Sequence, residues 1–216
     1  MKPTQLLICT LGVSAAIGSV CSARAQSAYT QHNLVSDVPG LADHTDPNLL
    51  NPWGIAFSAT SPFWISDNHS GLSTLYNGSG MPSTLVVTVP PPTGGTPPGA
   101  PTGIIFNNNT NNFLVASNAA ARFIFATEDG TISAWASGAT ALLKVDNSAT
   151  SAIYKGLALG VAGGSNYLYA ADFHNGKIDV VDVNFSRVTL ADHSPIRESR
   201  PVLRRSASRA SARIFG

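Results

Sequence analysis

One unit is written three times in this chain, and each time it opens on a glycine. It reads GIAF (54–57) then FWISDNHSGLSTLY (63–76). It returns as GIIF (103–106) with FLVAS (113–117) and FIFATEDGTISAW (123–135). It closes as GLAL (156–159) with YLYAADFHNGKIDVVD (167–182). Gly54, Gly103 and Gly156 stand 49 and 53 residues apart. Each copy runs from a short apolar strand to a second apolar strand ending in small or acidic residues. A glycine-bearing turn and an alternating strand complete it.

A period of about fifty residues with several strands matches one blade of a β-propeller, a sheet of four antiparallel strands. Burial is the reason such units stack. A twisted sheet with two apolar faces covers neither alone, so neighbours lean on one another. The fold predicted is all-β, a partial β-propeller of about three four-stranded antiparallel blades over 53–186. YLYAA suits an inner strand covered on both faces, and KIDVVD alternates like a strand nearer the outside. VPPPTGGTPPGAPTG (89–103) reads as a surface connector, because proline cannot donate to a ladder. NNNTNN (107–112) reads as a polar turn.

Composition agrees with short strands and loops. Charged residues make up 12% of the chain, against roughly 25% in an average soluble domain. The net charge of +1 hides an asymmetry. Residues 26–186 carry four basic side chains (Arg122, Lys144, Lys155, Lys177) and ten acidic ones, a balance of −6, whereas seven of the thirteen Lys and Arg follow from Arg187 onward. An acidic body without a basic stripe argues against nucleic acid as a partner.

The N-terminus has the pattern of an export signal over 1–25. Lys2 supplies the positive start, LLICTLGVSAAIGSV (6–20) the apolar stretch, and ARA (23–25) the small residues before a cleavage between Ala25 and Gln26. The apolar stretch is short and rich in small residues for a membrane span, so the mature chain is expected to carry no transmembrane segment. Cys9 and Cys21 both lie in this segment, which leaves the mature chain without disulfides. Val20 stands where a lipoprotein signal wants a small residue. The expected address is periplasmic or extracellular. An extended lead-in (26–52), broken by Pro39, Pro47 and Pro52, then docks on the first sheet.

From Arg187 the text becomes RVTLADHSPIRESRPVLRRSASRASARIFG. Strand alternation stops, and arginine and serine dominate. The segment 187–216 reads as a basic disordered tail, as a charged arm, or as the product of a frameshift. Back-translation one frame over restores the glycine, proline and apolar texture of the body, which favours the frameshift.

The phrase NLVSDVPGLADHTDPNLLNPWGIAFSATSPFWISDNHSGLSTLYNGSG (33–80) resembles the opening of a bacterial family of exported, propeller-like proteins with no assigned activity. The repeat texture is more loosely similar to NHL-repeat and gluconolactonase/SMP-30-type propellers. The first resemblance spans residue 33 to about 190. It implies longer relatives that close the ring with further blades. This chain departs from them after about residue 190, which implies a truncated product.

Asp67-Asn68-His69 and Asp172-Phe173-His174 recur at the exits of equivalent strands. An acid and an imidazole two apart share one side of an extended chain. Loops of successive blades converge at one end of a propeller, so Asp67, His69, Asp172 and His174, with Glu128 or Asp129, are candidate ligands for a divalent cation such as Ca²⁺. The plainer reading is that Asp, Asn and Gly are turn formers that cap their own backbone. His32, His44, Asp43 and Asp46 make a solvated turn before they make a cation loop. Trp53, Trp64 and Trp135 suit packing between blades, or an aromatic rim for a sugar.

The chain contains no G-x-S-x-G, no H-E-x-x-H and no phosphate-cradling glycine loop. No catalytic residue can be named. The function expected is a binding or interaction scaffold for a small molecule or a protein. The alternatives are a metal-dependent lactonase-type propeller enzyme and a truncated product without function.

Overall fold

A computed structural model describes residues 29–115 and 119–190; residues 1–25, expected from sequence to be an export signal, and most of 187–216, expected to be a basic tail, lie outside them. The unit that carries the repeats begins at Asn33. Two short strands, β1 (Val35–Ser36) and β2 (His44–Thr45), pair in parallel. Three sheets follow, each an antiparallel meander of four strands in chain order. The first holds β3 (Pro52–Ala56), β4 (Phe63–Asp67), β5 (Leu72–Tyr76) and β6 (Val87–Thr88). The second holds β7 (Pro101–Phe106), β8 (Phe123–Thr127), β9 (Thr131–Trp135) and β10 (Leu142–Asp146). The third holds β11 (Tyr154–Ala162), β12 (Ser165–Asp172), β13 (Lys177–Val181) and β14 (Arg187–Val188). Among the described residues there is no α-helix, only a 3₁₀ turn at Ser148–Thr150.

The opening strand of each sheet lies against its counterpart in the next, β3 beside β7 and β7 beside β11. Sheets stacked face to face with their first strands together are propeller blades. By its strand order and contacts the protein is therefore all-β, a partial propeller of three blades.

Alternation decides what each face meets. Trp64 and Leu75, paired across β4 and β5, face the second sheet, where they join Ile104, Phe123 and Phe125. The Trp64 indole stacks on Phe123 at 4.1 Å between centroids, and Trp135 tilts against it at 4.6 Å. The opposite face of β8 and β9, with Ile124, Ala126, Ile132 and Ala134, meets Tyr154, Leu168, Ala170 and Val181 of the third sheet. Each fully buried aliphatic or aromatic side chain contributes roughly 1.5–3 kcal/mol of burial free energy. The two seams between sheets, rather than any one sheet, carry the core.

The opening glycines allow that stacking. A Cβ at Gly54 would run into the carbonyl oxygen of Thr102 in β7. One at Gly103 would meet the backbone nitrogen of Leu157 in β11 at 2.5 Å. The inner strands approach more closely than a side chain permits. Gly156, third in the series, has nothing within 4 Å of that position.

Three sequence expectations are corrected. The described part of FLVAS, residues 113–115, is not a ladder strand: Phe113 has a positive φ of 56° and packs its buried ring on Phe185, and Leu114 makes an isolated bridge to Ala120; 116 and 117 lie outside the described residues. The fourth strand of the second blade is instead Leu142–Asp146. The connector ends sooner than its prolines suggest. Pro101 opens β7 and pairs with Thr127, which an innermost strand tolerates because one of its edges has no partner. YLYAA belongs to β12, second in its sheet, with only Leu168 and Ala170 in the core.

The connector itself folds back on its start. A Cβ at Gly99 would meet the carbonyl oxygen of Val89 at 2.5 Å, and both residues are buried. The Val89 N–H donates to the Gly71 carbonyl at 2.9 Å. Pro98 and Gly99 press on Gly71, whose φ of +68° also demands glycine.

The lead-in docks on the first sheet through polar ties. Tyr76 Oη donates to Asp46 at 2.8 Å, Ser70 Oγ to the Asn48 carbonyl at 2.8 Å, and His69 N–H to the Leu50 carbonyl at 3.2 Å. A cavity of about 360 Å³ lies between Leu34, Val35 and Leu49 of the lead-in and Ile55, Phe63, Ile65 and Tyr76 of the sheet.

Candidate functional site

All three sheets present the same end to the same side. Pro52 pairs with Asp67, Pro101 with Thr127 and Tyr154 with Asp172. Each inner strand thus starts beside the turn that joins the second and third strands of its sheet, at 68–71, 128–130 and 173–176. This gathers the turns and inter-sheet connectors at one end.

At that end a polar chain crosses the sheets. Asn51 Nδ2 donates to Asn68 Oδ1 at 3.2 Å. Asn68 Nδ2 donates forward to the Pro101 carbonyl at 3.3 Å and to Glu128 Oε2 at 3.1 Å. The other oxygen of Glu128 is paired with Lys155 on β11. The Lys155 ammonium also sits 4.6 Å from the centroid of the Trp53 ring, within cation–π range. The first turn residue of one sheet therefore grips the next, Asn68 reaching to the second sheet and Glu128 to the third. Trp53 remains 46% exposed, and Lys155 and Glu128 keep about a third of their side chains in solvent. A half-open indole beside a mutually neutralised acid and ammonium is an aromatic plate with polar edges. It suits a neutral polar group better than an ion.

The residues singled out from sequence take separate paths. Asp67 is buried, accepts from Thr74 N–H and Oγ1 through Oδ2 at 3.0 and 2.8 Å, and leaves Oδ1 without a hydrogen-bond partner. Burial pushes its pKa up to about 7 against the relief from Thr74, with the nearby Asp46 adding a little. Asp172 is also buried. Its carboxylate accepts from Ile153 N–H at 3.2 Å, Asn175 N–H at 3.2 Å and Asn175 Nδ2 at 2.7 Å, with Lys177 at 3.8 Å. Burial raises its pKa, but these donors and the Lys177 charge outweigh it, and the net shift is downward. His69 and His174 are exposed. The i, i+2 relation that would set acid and imidazole side by side needs extended chain, and the turn begins immediately after each aspartate. Asp129 accepts from Ala100 N–H at 2.7 Å. Among the described residues no group of three or more His, Cys, Asp or Glu side chains lies close enough to hold a metal ion.

The sequence reading did not single out Lys155 for a site. It was findable: it is one of four basic residues in an acidic body, and it immediately precedes the third opening glycine.

No family model matches the chain. It is 30% identical over 180 residues to an uncharacterized protein of Acanthamoeba polyphaga mimivirus, covering 82% of this chain and 44% of that one. It is also 30% identical over 172 residues to a second uncharacterized protein of the same virus, covering 76% and 44%. The chain thus spans 44% of the length of these curated relatives. Among solved structures it is similar to virginiamycin B lyase from Staphylococcus aureus, with 15% identity, a TM-score of 0.48, and coverage of 66% of this chain and 42% of that one. Among the described residues no helix is long and apolar enough to cross a membrane.

Proposed function

We propose that this chain is a binding scaffold that engages a neutral polar ligand or protein loop at the end of the blades marked by Trp53, Asn68, Glu128 and Lys155. The observation that supports it is the way Glu128, Asp129 and Asp172 are used at this end. Both oxygens of Glu128 are taken, by Lys155 and Asn68. Asp129 and Asp172 accept from the inter-sheet connectors. Acids occupied in this way stiffen the end and present Trp53; they are not poised as bases or metal ligands. Export to the periplasm or the exterior is part of the proposal and rests on residues 1–25. Placement in an exported bacterial family rests on the phrase at 33–80, the curated relatives above being viral.

The second reading is a divalent-cation-dependent lactonase. It draws on Asp67, His69, Asp172 and His174 lying at equivalent turns. One assay separates the two: hydrolysis of glucono-1,5-lactone with Ca²⁺, Mn²⁺ or Zn²⁺, with melting followed with and without EDTA. The scaffold reading expects no turnover above the buffer blank and an unchanged melting temperature. Metal-dependent turnover that EDTA abolishes would overturn it in favour of the enzyme.

A further inference from the structure

Four polar atoms in the seam between the first and second sheets are buried without a hydrogen-bond partner: Trp64 Nε1 and the hydroxyls of Ser66, Ser73 and Ser133. The three serines are 0% exposed and Trp64 is 2% exposed. Register puts them together. Trp64 pairs with Leu75 and Ser66 with Ser73 across β4 and β5. Phe123 pairs with Trp135 and Phe125 with Ser133 across β8 and β9. Alternation keeps Ser66 and Ser73 on the Trp64 face, and Ser133 on the Phe125 face that meets it. The Trp64 indole stacks on Phe123, which brings the two rows level. One step along both strands, toward the turns, the Ser66–Ser73 pair therefore faces the Phe125–Ser133 pair. Asp67 Oδ1, also buried without a partner, belongs to the opposite face of β4.

The second seam holds different residues at the same level. There Ala126 and Ile132 take the places of Ser66 and Ser73, and Ala170 and Asp179 those of Phe125 and Ser133. The Asp179 carboxylate accepts from Tyr154 Oη at 2.8 Å and from Lys177 Nζ at 2.9 Å. Among the described residues, that seam leaves no buried side-chain nitrogen or oxygen without a partner.

We propose that the first seam holds internal water, bound by Ser66, Ser73, Ser133 and the Trp64 indole. A buried hydroxyl or indole N–H with no bond is costly, and native proteins meet such groups with buried water that makes about three hydrogen bonds. The chemistry fits. The indole N–H only donates, while each hydroxyl both donates and accepts, so a water takes the indole hydrogen and exchanges bonds with the serines. The shape of the seam supplies the room. The inner strands β3 and β7 approach too closely for a Cβ at Gly54, but blades radiate from an axis and the gap between them widens outward. Ser73 and Ser133, on the third strand of each sheet, bring short side chains to the wider part. One level nearer the turns, the Thr127 and Thr131 hydroxyls satisfy each other at 2.8 Å, so the unmet groups are confined to the serine level and the indole beside it.

A crystal structure of the full chain, at a resolution that shows ordered solvent, tests this directly. The expected result is density for a water within hydrogen-bond distance of at least two of the four atoms. No such density, or all four groups bonded to protein partners instead, overturns the proposal. Thermal melts give a second readout, because wet and dry hydroxyls respond with opposite sign. Where water binds the serines, Ser66→Ala, Ser73→Ala and Ser133→Ala each remove a hydrogen bond and should lower Tm by about 2–4 °C. Where the hydroxyls are dry, removing one relieves its desolvation, so that Tm stays level or rises; that result also overturns the proposal. Either failure leaves the reading of the loop end untouched, since that reading uses none of these four residues.

Discussion

Asp67 and Asp172 occupy the same position, the last residue of the second strand in the first and third sheets, yet they are held in opposite ways. Asp172 receives three hydrogen bonds and a nearby ammonium. Asp67 receives its two bonds from a single threonine on a single oxygen. Exposure does not separate them, since both are nearly inaccessible. Desolvation and donors do: Asp67 lies deeper in the protein and has fewer donors, Asp172 lies shallower and has more. Asn175 and Lys177 follow Asp172 within five residues, whereas Asp67 looks toward Asp46 of the lead-in. A repeat can conserve a side chain's place while reversing its preferred charge.

The signs of the resulting pH dependences differ. Asp67 has its folded pKa raised to about 7, so its contribution is complete below its unfolded pKa and is lost as pH rises toward and through 7; the window carries up to about 4 kcal/mol. Asp172 has its folded pKa lowered, so its contribution is present above the unfolded pKa and lost as pH falls through the folded one. The sharpest test is urea denaturation of Asp67→Asn between pH 4 and 8. It should flatten the decline of stability with pH and raise stability at pH 8 by a few kcal/mol; an unchanged slope would mean that Asp67 is not the group responsible. Asp172→Ala strands the Ile153 and Asn175 donors and should cost about 3 kcal/mol at pH 7 in the same assay. Thr74→Val removes the Oγ1 donor to Asp67 and should cost about 1 kcal/mol at pH 8 while moving the midpoint of the pH profile upward. Lys177→Ala is the smallest. Its side chain is 41% exposed, so the change should be below about 0.5 kcal/mol and vanish in high salt.

The glycine-led period was enough to read three sheets and their order, because close approach of inner strands forces glycine at Gly54 and Gly103. It could not distinguish a covered glycine from an uncovered one, and Gly156 looks the same in sequence. Hydrophobic runs misled where an apolar segment plugs a seam rather than joining a ladder, as at Phe113. Leu142–Asp146 was missed because only one of its five residues is buried, and Leu142 and Asp146 are exposed. At the loop end, sequence spacing located the turns that carry Asp67 and Asp172. It had no means of showing that Glu128 and Lys155, 27 residues apart, meet across a seam.

The contact between Val89 and Gly99 makes the segment 90–98 a detour. The chain leaves the first blade and is back beside its departure point ten residues later, with Gly71 clamping the crossing. That junction is a natural port. A short turn could replace the excursion, or a foreign peptide could be spliced into its exposed tip at 93–97, with neither seam registering the exchange.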